Sequence, residues 1–78
     1  MIIDYVTEAL RRAHYQLADG EYCGTVAALP GVISTGVTLE ACRDQLAEVV
    51  EGWVLVRVAR GLPVPRLGRR TVVVKKAG

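Results

Sequence analysis

Apolar and polar positions divide this chain into two helical stretches around a run of short alternating ones. From Leu39 the apolar residues fall at Leu39, Cys42, Leu46, Val49, Val50, Trp53 and Val54, the three-and-four spacing of one helical face, while Glu40, Arg43, Asp44, Gln45 and Glu48 lie mostly off it. Thr38 is placed to cap the start, with Val37 set to pack on Cys42 as a hydrophobic staple and Glu40 putting negative charge in the first turn. Gly61 suits the left-handed position after the last turn, and Pro63 cannot continue a helix. The pattern therefore predicts a helix over 39–60, crossing the whole domain. Its second half is rich in β-branched Val49, Val50, Val54, Val56 and Val58 and contains Gly52, so 53–59 read alone would suit a strand. The uninterrupted facial spacing favours the helix. Trp53, Val54, Leu55, Val56 and Val58 point in several directions around it, and a helix apolar all round needs cover on every side. A second copy of the chain is the expected cover, which makes these five residues the candidate interface of a dimer or tetramer.

Ahead of this stretch, Ile2–Arg12 predicts a shorter helix with Ile3, Val6 and Leu10 on one face and Glu8 paired with Arg12. Ala13–Ala18 alternates as a strand. Asp19-Gly20 is a type I′ hairpin signal, and Glu21–Leu29 is expected to return as the second strand, with Gly24 marking a bulge or a close backbone approach. Pro30-Gly31 turns the chain into a third strand at Val32–Thr35. After the long helix comes a proline-containing connection, and the β-prone run Arg70–Lys76 is expected to rejoin the sheet as a fourth strand. The fold class is α+β in a single domain over residues 1–78: helix, three-stranded antiparallel meander, long helix and C-terminal strand.

Composition sharpens this in two ways. Seventy-eight residues give a thin core, so self-association or a partner is expected to supply part of the stability. The net charge of +2 hides a polarity: all eight acids lie at or before Glu51, whereas Arg57, Arg60, Arg66, Arg69, Arg70, Lys75 and Lys76 follow it with none. Such a basic end can attract nucleic acid, and Arg66, Arg69, Arg70, Lys75 and Lys76 are the candidate phosphate contacts of a nucleic-acid-binding alternative. No aromatic residue is interleaved with them, which argues against a base-stacking platform.

The catalytic inventory is thin. His14 is the single imidazole, Ser34, Cys23 and Cys42 stand in no triad spacing, and the carboxylates Asp4, Asp19, Glu21 and Asp44 are scattered over different elements. No cofactor, no metal ligand set and no enzymatic activity are expected. Two buried thiols fit Cys23 and Cys42 better than zinc, and a disulfide requires Cys23 to face the helix. The N-terminus lacks signal-peptide organisation, and the apolar run near Trp53 is too short and too charged to span a membrane, so the cytoplasm is the expected location.

The hairpin with Asp19-Gly20 and Tyr22, then Leu29-Pro30-Gly31, Thr35-Gly36, Thr38-Leu39-Glu40 and the Trp53 helix closing at Arg60-Gly61 before Pro63 and Pro65, resembles the HicB antitoxin family. The resemblance is to its short members, which have an extra N-terminal helix and no appended DNA-binding domain, and it covers about Tyr15 to Pro65. It implies a partly degenerate ribonuclease-H-like fold without the catalytic acids. It also implies a partner: a HicA-like toxin, a small mRNA-cleaving ribonuclease that HicB proteins neutralise by masking its active site. Asp19, Glu21, Tyr22 and Leu29 are the candidate partner contacts. Ala27-Ala28 depart from the Pro-plus-acid that the family often carries there, and operator binding is not expected of this chain alone. An orphan protein with no toxin partner is the other reading within the family.

Overall fold

The computed structural model describes residues 2–68. The expected α+β order is present: helix α1 (Ile2–Arg11), strands β1 (His14–Ala18), β2 (Glu21–Thr25) and β3 (Ile33–Gly36), and the long helix α2 (Leu39–Ala59). The three strands form an antiparallel meander in the order β1-β2-β3. The fourth strand expected at Arg70–Lys76 lies outside the described residues.

Turn chemistry sets the register. Asp19 and Gly20 both take positive φ, 53° and 78°, as a type I′ turn demands. Ala18 therefore faces Glu21, and His14 faces Thr25, with no bulge between. The second strand stops at Thr25 rather than at Leu29. Two successive turns follow, closed by Leu29 N–H donating to the Val26 carbonyl at 3.0 Å and Val32 N–H donating to the Leu29 carbonyl at 3.2 Å. This folds Val26, Leu29 and Val32 inward together, all buried. Pro30 with Gly31 at φ 84° has the signature of a type II turn, whereas Ala27-Ala28 carries no turn signal, which is why the strand ends earlier than its sequence suggests. The third strand starts one residue late, at Ile33.

Gly36 then turns the chain into α2, whose N-terminus is capped by the Thr38 hydroxyl accepting from Ala41 N–H at 3.0 Å. The anticipated staple is not formed: Val37 is 73% exposed, because the backbone has already turned away from the sheet. At the other end the helix closes in a Schellman arrangement, with Gly61 N–H donating to the Val58 carbonyl at 3.1 Å and Leu62 N–H to the Arg57 carbonyl at 2.8 Å. Gly61 sits at φ 67°, the left-handed conformation that glycine adopts without strain. The β-branched half of the helix is held by these caps and by burial of Val50 and Val54, which outweigh its weak intrinsic propensity.

One face of α2, with Cys42, Leu46, Val50 and Val54, packs on β3 and β2, and α1 lies against the same helix. From α1 the buried residues are Tyr5 and Ala9, with Val6 and Leu10 packed beside them. Ile3, expected on that face, is 72% exposed; the i, i+4 pair Tyr5–Ala9 is the true centre of the stripe. The expected Glu8–Arg12 ion pair is present at 2.8 Å, with Arg11 on the other carboxylate oxygen at 3.3 Å.

Residues 62–68 run back over the helices. The Tyr5 hydroxyl donates to the Pro65 carbonyl, Arg57 Nε donates to the Pro63 carbonyl at 2.7 Å, and Leu67 is buried in the core. Burial raises the Tyr5 pKa above its usual 10, against a smaller opposing pull from Arg57. A phenol whose pKa is raised by folding gives stability that is whole below about pH 10 and is lost as pH climbs through the folded value. Alkaline titration followed by circular dichroism is expected to show stability falling from about pH 10 upward, and Tyr5→Phe to flatten that slope. A slope unchanged in the variant would place the alkaline sensitivity elsewhere.

Candidate interaction surface

The strand alternation sorts side chains onto two faces. Tyr15, Leu17, Tyr22, Gly24, Ser34 and Gly36 face α2; His14, Gln16, Cys23, Thr25, Ile33 and Thr35 face away. At the centre of the helix-facing side, a Cβ on Gly24 would stand 2.9 Å from Ser34 Oγ, 3.1 Å from Tyr15 and 3.2 Å from Cys42 Sγ. Gly24 thus marks a close approach, not a bulge. The buried Ser34 hydroxyl donates to the Cys42 carbonyl at 3.0 Å and touches its thiol at 3.3 Å. Tyr15 packs beside this cluster with its hydroxyl buried and its pKa raised, first by burial. Cys23, on the opposite face from Cys42, cannot pair with it, and both are free thiols. Sequence spacing alone missed the Tyr15–Gly24–Ser34–Cys42 contact, since its signal is a register that only the hairpin geometry supplies.

Charge is segregated along the molecule. Tyr22 pairs with Gly36, two residues before the Thr38 cap, so the hairpin tip and the start of α2 lie at one end. Asp19, Glu21, Glu40 and Asp44 are all exposed there. The helix then runs back along β3, as shown by Gln45 Oε1 accepting from Thr35 N–H at 2.7 Å, and carries Arg57 and Arg60 towards the opposite end. At the start of β1, Arg11, Arg12, Ala13 and His14 face Val26, Ala27 and Ala28 across an open cleft of about 430 Å³.

The anticipated contact residues divide accordingly. Asp19 and Glu21 are exposed at the acidic end, and Tyr22 is half-buried beside them. Leu29 is not on the surface: at 1% exposure it belongs to the protomer's own core, because the type II turn folds it inward. Val54 is likewise fully buried against the sheet and is unavailable to a partner. Val58 and Trp53 are half-buried on the core, Trp53 with the Arg57 guanidinium 4.6 Å from its ring centre. Leu55 and Val56 remain on the surface at 46% and 51% exposure. Among the candidate phosphate contacts, Arg66 is exposed, while Arg69, Arg70, Lys75 and Lys76 lie outside the described residues. No group of three or more His, Cys, Asp or Glu side chains suited to a metal occurs among the described residues. Nor is any described helix long and apolar enough to cross a membrane.

The profile of the UPF0150-like family matches residues 4–65, from the first turn of α1 to the proline segment. The chain belongs to the UPF0150-like family. Among solved structures, this UPF0150-like protein is similar to TTHA0281 from Thermus thermophilus, with 36% identity, a TM-score of 0.88, and coverage of 96% of this chain and 95% of that one. No protein with a curated description matches it.

Proposed function

We propose that this UPF0150-like protein is a HicB-type antitoxin that binds a HicA-type mRNA-cleaving ribonuclease and covers its RNA-binding face. The observation that supports this reading best is the acidic end itself, where exposed Asp19 and Glu21 on the β1–β2 hairpin lie at the same end of the molecule as exposed Glu40 and Asp44 on the first turns of α2. An RNA-cleaving partner must present positive charge to phosphates. A fixed negative surface steers that charge into register and speeds the encounter. The motif set that resembles HicB proteins also has structural work in this fold: Leu29-Pro30-Gly31 makes the turn that seals the core, and Gly36 with Thr38 seats and caps α2. Interaction rather than catalysis fits the exposed, unclustered His14 and the separated thiols.

Co-expression with a HicA-type ribonuclease tests the proposal. The expected result is a co-purifying complex and restored growth, with association slowing as salt rises. Charge reversal by Asp19→Lys with Glu21→Lys is expected to weaken binding at least tenfold, about 1.4 kcal/mol, without unfolding the hairpin. Absence of binding at micromolar concentration would overturn the reading. Of the phosphate contacts of the nucleic-acid alternative, exposed Arg66 alone lies among the described residues, and the other exposed arginines there include Arg11 and Arg12 at the cleft. Arg11 and Arg12 both pair with Glu8, which reduces their hold on phosphate.

A further inference from the structure

Leu17 is an apolar side chain turned to the helix side of the sheet, yet it is 63% exposed, because α2 lies over β3 and β2 and leaves the tip end of β1 bare. It stands directly opposite half-buried Tyr22, and the Cβ atoms of such a pair are about 5 Å apart. Leu39 rises beside that pair. Burial raises the Tyr15 pKa and the Arg43 guanidinium pulls against it, so Arg43 projects from α2 towards β1, whereas Gln45 projects towards the β3 edge. Leu39 lies one turn before Arg43 on the same side of the helix, as Leu17 lies one step beyond Tyr15 on the same face of β1. The two displacements, about 6 and 7 Å, run towards the same end of the molecule. Leu39 is 43% exposed, so with Leu17 and Tyr22 it lines an apolar corner between β1 and the first turn of α2.

We infer that this corner is the anchor site of a basic protein partner, taking an apolar side chain that the partner carries among lysines or arginines. The assignment rests on the ribonuclease-binding reading above and names the residues that hold the complex once charge has brought it together. The border of the corner chooses the occupant. Asp19 at the hairpin tip and Glu40 and Asp44 on α2 are exposed around it, Glu21 is exposed on the other face of the hairpin, and Arg43 is the one base at this end among the described residues. A second copy docked here about a two-fold axis would set these acids against their own equivalents. Nucleic acid and an anionic membrane surface are repelled by the same border. A cationic protein surface is attracted. Charge at the rim governs the association rate, whereas an apolar side chain withdrawn from water at the centre governs the lifetime of the complex. The apolar contact first expected of Leu29, which the type II turn folds into the core, falls instead to Leu17 and Leu39.

Binding kinetics of the full chain with the HicA-type ribonuclease test it. Leu17→Thr combined with Leu39→Gln, polar replacements suited to a strand and a helix, is expected to raise the dissociation rate at least tenfold, with the association rate and its salt dependence within about twofold of wild type. Both side chains are exposed, so thermal unfolding is expected to stay close to wild type. Charge reversal by Asp19→Lys with Glu21→Lys is expected to do the opposite, slowing association and leaving dissociation nearly unchanged. A dissociation rate within about twofold of wild type in the Leu17→Thr, Leu39→Gln chain would overturn the inference and leave the ribonuclease reading standing. So would a change confined to the association rate. A wild-type chain that fails to bind at micromolar concentration would overturn both. Sedimentation of the chain alone tests the rival occupant: a fall in its own mass with the same two substitutions, ribonuclease kinetics unchanged, would give the corner to a second copy and overturn the inference.

Discussion

Gly36→Ala is expected to destabilise the protein by about 3 kcal/mol or more, at the top of the range for overpacking, because the added methyl has nowhere to go. Its Cβ would stand 2.5 Å from the Cys42 amide nitrogen, 2.9 Å from Cys42 Cα and 3.0 Å from the Ala41 carbonyl carbon. These are backbone atoms of the first turns of α2, so no side chain can rotate aside, and the helix must lift off the sheet. Lifting it would stretch the Ser34–Cys42 hydrogen bond and the Gln45–Thr35 bond, both of which bind the same stretch of helix to β3. For a domain of this size each kcal/mol moves the melting temperature by about 4–8 °C, so thermal unfolding should shift down by roughly 12–24 °C. A shift under about 3 °C would mean that the helix approaches the sheet less closely than described.

The second large effect is expected at Leu46. It is fully buried at the meeting point of α2, the sheet and α1, and Leu46→Ala leaves a cavity bounded on all sides by other core residues. Removal of a leucine from such a site costs about 2–5 kcal/mol. Whole-domain stability at roughly 0.05–0.15 kcal/mol per residue is about 4–12 kcal/mol for this chain, so the variant is expected near the edge of folding. Denaturant unfolding should show a lower midpoint at an unchanged slope. A loss below about 1 kcal/mol would show that Leu46 is not central to the core.

Local chemistry was legible where one residue type has one physical use. Asp19-Gly20, Pro30-Gly31, Thr38 and Gly61 each declare a backbone conformation or a cap, and each appears at its expected place. The periodicity of α2 was equally plain, even through its β-branched half. What could not be read were distances between elements. Ile3 and Tyr5 compete for the buried side of α1, and the choice falls to Tyr5 because its hydroxyl reaches the Pro65 carbonyl, 60 residues away. Leu29 and Val54 look like interface residues when only their apolar character is weighed. Their burial follows from a double turn and from the drift of the i+4 row around α2 as it crosses the sheet. Gly24, Gly36 and Gly52 look alike in sequence, yet two are crowded and one is open.

The side chain of Gln45 has a consequence beyond the seating of its helix. Among the described residues β3 is an edge of the sheet; the amide of Thr35 there points away from β2, and Gln45 already occupies it. Another extended segment arriving at that margin would have to displace the carboxamide before gaining its first main-chain bond. Among the described residues, endless lateral stacking of chains, the route by which small sheets become fibrils, meets one uncharged residue as its obstacle on the β3 side.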